Sequence, residues 1–427
     1  PISPVPASDP ACVAYENYLR LPELKSLWST VDFPDWENEA VLRPALHGLE
    51  ITFRLVSGVL SDPRPYSDRR RWERSLESLA SSQVEIISLL VEDEEVGRAP
   101  IVDLSSSGGV LPAREGSFAE VWKGEDAMAV VNHTSEGSLL PRLATWQKSE
   151  RVAEKILFSI ESGLRRCPYT LGLGEPNLSG KPSLDYDAVC RPTEINTSLK
   201  RSPTSAQLKN PEDQSVYSTL QIFECWVQVA REILNRHVIN PINSNRHDLA
   251  SDGCYLLSKT WNLLESISDL LSLTDPDDFL RLKAQLLTRP ADPAPLCFRS
   301  RALVGLTKSC KELKHTVPGI LGVEVDPSGG PRVQEAAMKL YRDGKRANSG
   351  GVHLLQGLQG VEKAVKGFYY GYKQVMVAVM GSLEGNGTAT LTVTAPSVWV
   401  SDPLGQMFME PTYFPSLDAA KTFIGDS

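Results

Sequence analysis

Apolar residues recur along this chain at the three- and four-residue spacing that gathers one stripe of a helix against a core. Leu42, Leu46, Leu49, Phe53, Val56 and Leu60 follow a 4-3-4-3-4 rhythm, and Trp72, Leu76, Leu79, Ile86 and Leu90 make a second amphipathic segment. Ser149 stands where an N-cap belongs for a third helix, with Ala153, Leu157, Ile160 and Leu164 inward. Further helices are predicted over 214–238, 253–273, 276–287 (opened by Asp275-Pro276), 298–315, 331–343 and 352–381. A short capped helix is predicted over 416–423, stopped by Gly425.

Loops rich in Gly, Pro and Ser separate these segments, roughly at 97–138 and 167–213. The second loop sets an N-terminal helical region, 1–200, apart from a larger C-terminal helical domain, 201–427, and the two are expected to pack as one unit. GTATLTVTA at 387–395 is the one segment that alternates as a strand does. Its Gly-Asn-Gly approach and Pro396 leave a flexible excursion as the other reading. The expected fold is mainly α, a multi-helix bundle with long irregular loops and at most a small β element near 387–400.

Composition narrows the class. The 427 residues are 41% hydrophobic and 23% charged, as in a soluble globular protein with a substantial core. A net charge of -9 argues against nucleic-acid binding, which needs a clustered Lys/Arg surplus. The basic run DRRRWER at 68–74 is offset by VEDEEV at 91–96, and both read as solvated helix ends. Seven scattered cysteines without a CxxC pair predict reduced, mostly buried thiols and a cytoplasmic or nuclear location. The most apolar run, VMVAVMG at 375–381, is too short to span a bilayer, so no membrane association is expected. The chain opens at Pro1 with no secretory signal, and a segment upstream of it is expected.

Chemistry is sparse. None of the six histidines sits in HExxH or in an i, i+4 pair for zinc, no GxSxG elbow occurs, and no cysteine has a protease context. Cys225 and His237 read as core residues of one helix, and Asp277-Asp278 as a complement to a helix N-terminus. GLGEPNLSGK at 172–181 has the look of a phosphate loop, but Gly174 and Gly180 are five residues apart and Pro182 replaces the required hydroxyl. It is predicted to be a structural loop. In the 352–381 helix, Gly357, Gly360, Ala364, Gly367 and Gly371 run beside the apolar stripe. Each glycine costs about 1 kcal/mol relative to alanine in a helix, so the row calls for close approach of another helix or of a flat ligand.

Four blocks carry a family resemblance: SDPACVAYENYLRLPEL (8–24), CPYTLGLGEPNLSGKPSLDYDAVCRP (167–192), ILGVEVDPSGGPRVQEAAMKLYR (320–342) and EPTYFPSLDAAKTFIGD (410–426). They resemble the plant nematode-resistance-protein-like family called HSPRO, over essentially the whole chain. The resemblance implies a role in basal disease resistance and stress responses, exercised through the βγ-type subunit of a SNF-related kinase, and brings no catalytic residues. Members usually carry an N-terminal Ser/Pro-rich extension that is missing here.

A more distant resemblance, over about 250–381, is to the all-helical tryptophan and indoleamine 2,3-dioxygenase superfamily. TDPDDFLRLKAQLL resembles its Asn-Pro-started helix, DPSGGPRVQEA its loop over the haem, and the 352–381 helix its haem-carrying helix. It implies a dioxygenase-like bundle with a vestigial pocket at Ser328, Gly329, Gly330, Gly367, Gly371, Tyr372 and Lys373. Lys373 stands where the superfamily places its axial histidine, and a protonated lysine is a poor haem ligand. The expectation is a non-catalytic regulatory protein with neither cofactor nor metal; the alternative is a haem- or small-molecule-binding protein or enzyme.

Overall fold

The computed structural model describes residues 10–61, 68–94, 97–102, 135–177, 179–199, 213–277, 279, 295–324, 332–343, 349–381 and 403–423. The predicted strand at 387–395, Ser328, Gly329, Gly330, and most of the predicted 276–287 helix lie outside them.

The described chain is mainly helical. Its helices run α1 (Pro10–Tyr18), α2 (Leu21–Ser29), α3 (Glu39–Ser61), α4 (Arg69–Val91), α5 (Leu139–Leu143), α6 (Glu150–Gly163), α7 (Tyr186–Cys190), α8 (Pro192–Ser198) and α9 (Asp213–Ile233). They continue as α10 (Asn240–Asn243), α11 (His247–Asp269), α12 (Arg301–Glu312), α13 (Val317–Leu321), α14 (Arg332–Asp343), α15 (Ser349–Met380), α16 (Pro403–Met409) and α17 (Pro415–Thr422). Among the described residues, β structure is limited to β1 (Ile101–Val102) paired antiparallel with β2 (Ser183–Leu184), in the register Ile101 opposite Leu184, and isolated bridges. Contacts divide the chain into one compact unit of 13–226 and 266–286 and another of 1–12, 227–265 and 287–427. The 167–213 loop falls inside the first of these.

In the first unit α3 is the central element, buried on nearly every side by α4, α5 and α7. Its Gly48 lies beneath the Trp226 indole, where a Cβ would stand 2.7 Å from Nε1. Gln83 of α4 joins them, donating to Thr52 Oγ1 (2.8 Å) and accepting from Trp226 Nε1 (2.9 Å). Helices α4 and α6 run parallel, because successive partners across the seam keep one sequence offset: Glu73 with Arg151, Glu77 with Lys155, and Ser81 with Ser159. Asp68 caps α4 by accepting from the Arg71 N–H at 3.0 Å. Ser149 sits at the N-cap of α6 as predicted, but its hydroxyl donates back to the Leu143 carbonyl (2.6 Å) and leaves the helix amides alone.

In the second unit α15 is the long central helix, flanked by α11, α12, α14 and α16. Two predicted boundaries move. The helix expected at 253 begins at His247, and Gly253 lies inside it as a packing position, where a Cβ would overlap the His237 carbonyl oxygen of the π-helical turn Leu234–Ile239. The segment expected as one helix over 298–315 breaks at Ser300, whose hydroxyl accepts from the Leu303 N–H (3.1 Å) and starts α12.

Candidate functional site

The described candidates on α15 point in three directions. Gly367 and Gly371 face α11, where Glu265 lies against them; a Cβ on Gly371 would overlap its carboxylate. Farther back, a Cβ on Gly357 would come within 2.9 Å of Cys254 Cβ, and one on Gly360 within 3.8 Å of Ser258 Oγ. The small-residue row is thus the seat of a neighbouring helix. Tyr372 points into the core beside Cys297 and Phe368. Lys373 is half-buried on the opposite flank, with its ammonium 5.7 Å from the centre of the Phe408 ring. Among the described residues, the row is filled by α11, and Lys373 lies on the side of α16.

The inward face of α15 is packed with aromatic rings and hydroxyls. Tyr369 shares a hydrogen bond with Thr307 (2.8 Å), and Phe368 meets Trp261 with ring centres 5.4 Å apart. Burial pushes the Cys254 and Cys310 thiols up to about 12 and also raises Cys297, Tyr369 and Tyr372. Such thiols stay protonated at neutral pH and are poor nucleophiles. All seven cysteines are free and buried, as predicted. The described residues hold no cluster of three or more His, Cys, Asp or Glu suited to a metal.

The final family block has a role that periodicity could not reveal. Glu362, 7% exposed, accepts from the Tyr413 N–H (3.0 Å), Thr412 Oγ1 (3.1 Å) and Lys366 Nζ (2.7 Å). Lys366 also donates to the Glu410 carbonyl (3.0 Å), and Lys311 pairs with the Glu410 carboxylate (2.6 Å). Residues 410–415 are therefore strapped across α15 and lead into α17. The neighbouring α16 leaves Met409 77% exposed and Phe408 edge-on to Tyr370, itself 54% exposed, with ring centres 5.4 Å apart.

The 172–181 loop is structural, as predicted. Lys181 donates its ammonium to the carbonyls of Leu164 (3.1 Å), Cys167 (2.7 Å) and Arg165, completing the C-terminal end of α6. Asn177 brackets Lys181, accepting from its N–H (3.2 Å) and donating to its carbonyl (2.8 Å). Glu175 folds back on the Gly172 and Leu173 amides at 2.9 and 2.7 Å. Gly172, Gly174 and Gly180 take φ of 74°, 93° and 60°, the left-handed region that favours glycine.

Buried charges in the first unit tie this block to α3. The Arg43 guanidinium donates to Glu39 (2.6 Å), Asp32 (2.5 Å) and the Val189 carbonyl (3.2 Å). Glu50 accepts from Ser138 Oγ (2.7 Å), the Leu139 N–H (2.9 Å) and Tyr186 Oη (3.2 Å), while burial raises its carboxyl above the usual range. Beside them His47, accepting from Trp28 Nε1 (3.1 Å), is pulled down to about 3 by burial and by Arg43. These groups hold loops to a helix.

Two of the four sequence blocks, 167–192 and 410–426, are thus held to helices of a mainly helical chain by buried polar contacts. The chain belongs to the Hs1pro-1 family: residues 2–161 match the Hs1pro-1 N-terminus and residues 164–427 the Hs1pro-1 protein C-terminus. It is 48% identical over 426 residues to nematode resistance protein-like HSPRO2 of Arabidopsis thaliana, covering 99% of this chain and 90% of that protein. It is 47% identical over 421 residues to nematode resistance protein-like HSPRO1 of the same plant, covering 98% of this chain and 91% of that protein. No solved structure matches the chain.

Proposed function

We propose that this chain is a non-catalytic regulatory protein of plant basal defence and of stress and energy signalling. It acts by binding a SNF-related kinase complex through the βγ-type subunit. The reading is carried by near-full-length similarity to two proteins whose names record nematode resistance, at 48% and 47% identity. A cytoplasmic or nuclear setting suits it, since seven cysteines outside any disulfide persist where the medium is reducing. The chemistry of the interior agrees with it: the described thiols and phenols that burial raises are locked in packing.

Titration of the purified βγ-type subunit into this protein tests the reading. Saturable binding at micromolar concentration is the expected result, and none at that concentration removes the named partner. An absorption spectrum of protein expressed with haem supply separates the other reading. A Soret band that follows the protein through size exclusion would replace the regulatory assignment with a haem protein.

A further inference from the structure

We infer that the outer face of the α4–α6 pair is a self-association surface, on which a second copy of this chain docks antiparallel about a two-fold axis. Two recesses lie end to end along this face and share Ser81 and Ser159. One, of about 450 Å³, is lined by Val84, Ser88, Leu89, Ser162 and Gly163 among others, and no aromatic ring enters it. Its floor is drawn tight, since a Cβ on Gly163 would stand 3.0 Å from Val84 Cγ1. The other, of about 550 Å³, carries Phe158, which is 56% exposed. The face therefore offers one projecting ring and, about one helical turn farther on, one small-residue recess. A two-fold axis between them seats the Phe158 of each copy in the recess of the other. That reciprocity defines an isologous interface, and a buried aromatic ring is a common anchor of one.

The charges on α4 favour the same antiparallel copy. Arg70, Arg71 and Arg74 are exposed on its first turns. At its far end Glu85 and Glu92 line the recess and Asp93 is exposed beside them. The helix dipole favours the reverse order, so this polarity does not serve α4 itself. The flanks keep the sign in the sequence: DPRPYS at 62–67 sums to zero, and Glu95 is acidic. The ion pairs Glu73–Arg151, Glu77–Lys155, Glu92–Arg166 and Glu161–Arg165 each cancel locally. Glu154 lines the same recess as Arg74. An antiparallel copy lays the basic end of one α4 along the acidic end of the other, twice over. The area agrees with a reversible dimer. Helices of 23 and 14 residues present about 600 Å² per copy, near the lower end of specific interfaces.

Sedimentation equilibrium of the full chain tests the inference, with circular dichroism melts to confirm that each variant is folded. The expected result is a monomer–dimer equilibrium with Kd on the order of micromolar. Phe158→Ala, and Ser162→Arg to fill the recess, are each expected to weaken it by about tenfold or more. Met409→Ser, which alters a residue 77% exposed on α16, should leave it unchanged. The charge arm uses a mixture. Arg70→Glu with Arg74→Glu, and Glu92→Lys with Asp93→Lys, should each be monomeric alone and dimerise when mixed, because only the mixed pair has opposite signs at both ends. A parent that stays monomeric up to about 100 µM overturns the inference. So does a dimer that survives Phe158→Ala and Ser162→Arg. If the parent is monomeric and a βγ-type kinase subunit binds it in a Phe158-dependent way, the face belongs to that partner and self-association is overturned.

Discussion

Glu362 shows how much one buried side chain can organise. Its two oxygens satisfy a hydroxyl, a backbone N–H and an ammonium, all belonging to the contact between α15 and the 410–415 strap. Replacing it by alanine leaves the Tyr413 amide without its acceptor and the Lys366 ammonium with backbone carbonyls alone, at about 2–3 kcal/mol. A lower urea midpoint for Glu362→Ala, with Glu362→Gln in between, is the expected measurement. His47 offers a second residue-scale prediction. Its folded value of about 3 lies below the unfolded value of 6.5, so between those limits the unfolded chain binds the extra proton. Stability is therefore full above pH 6.5 and is lost as pH falls toward 3, by an amount on the order of 4 kcal/mol. Urea midpoints at pH 7, 5 and 4 should fall steeply for the parent, and less steeply in this window for His47→Gln.

At the scale of elements, the glycines of the second unit divide into two kinds that look alike in sequence. Gly253 admits the backbone of the π-helical turn, and a methyl group there would overlap the His237 carbonyl, which no rotamer change can relieve. Gly360 has ordinary clearance, its nearest neighbour Ser258 Oγ being 3.8 Å from a built Cβ. Gly253→Ala is expected to lower the melting temperature sharply, at about 2 kcal/mol or more. Gly360→Ala is expected to raise it, by about 0.5–1 kcal/mol, through helix propensity and a stiffer unfolded chain. Thermal melts of the two variants side by side decide the matter. Helices α3, α4, α6 and α15 were legible because each keeps its rhythm for several turns. Helices α1, α2, α5, α7 and α8 were not, because five to nine residues carry too few periods for a pattern to emerge.

At the scale of the whole molecule, the thiol inventory gives a direct check. All seven cysteines are free and buried, and burial raises those of Cys167, Cys190, Cys225, Cys254, Cys297 and Cys310. Ellman's reagent should therefore read seven thiols in denaturant without reductant and react only slowly with the folded chain. A stoichiometric internal bridge under non-reducing mass spectrometry would contradict the structure and the reducing compartment proposed for the protein.

Local pattern by itself determined the helical class, the long helices, the reduced thiols and the family, since each is written in contiguous residues or in composition. It also excluded a phosphate loop at 172–181, because spacing and Pro182 sufficed. Tertiary structure alone decided what those parts are for. The glycine row could equally have met a ligand or a helix, and only the position of α11 settled it. Lys181 became a helix-end donor and Glu362 a strap holder because their partners lie across the fold, at separations that no local pattern encodes. A sequence fixes which groups a chain has to satisfy; which distant group satisfies them is a consequence of packing.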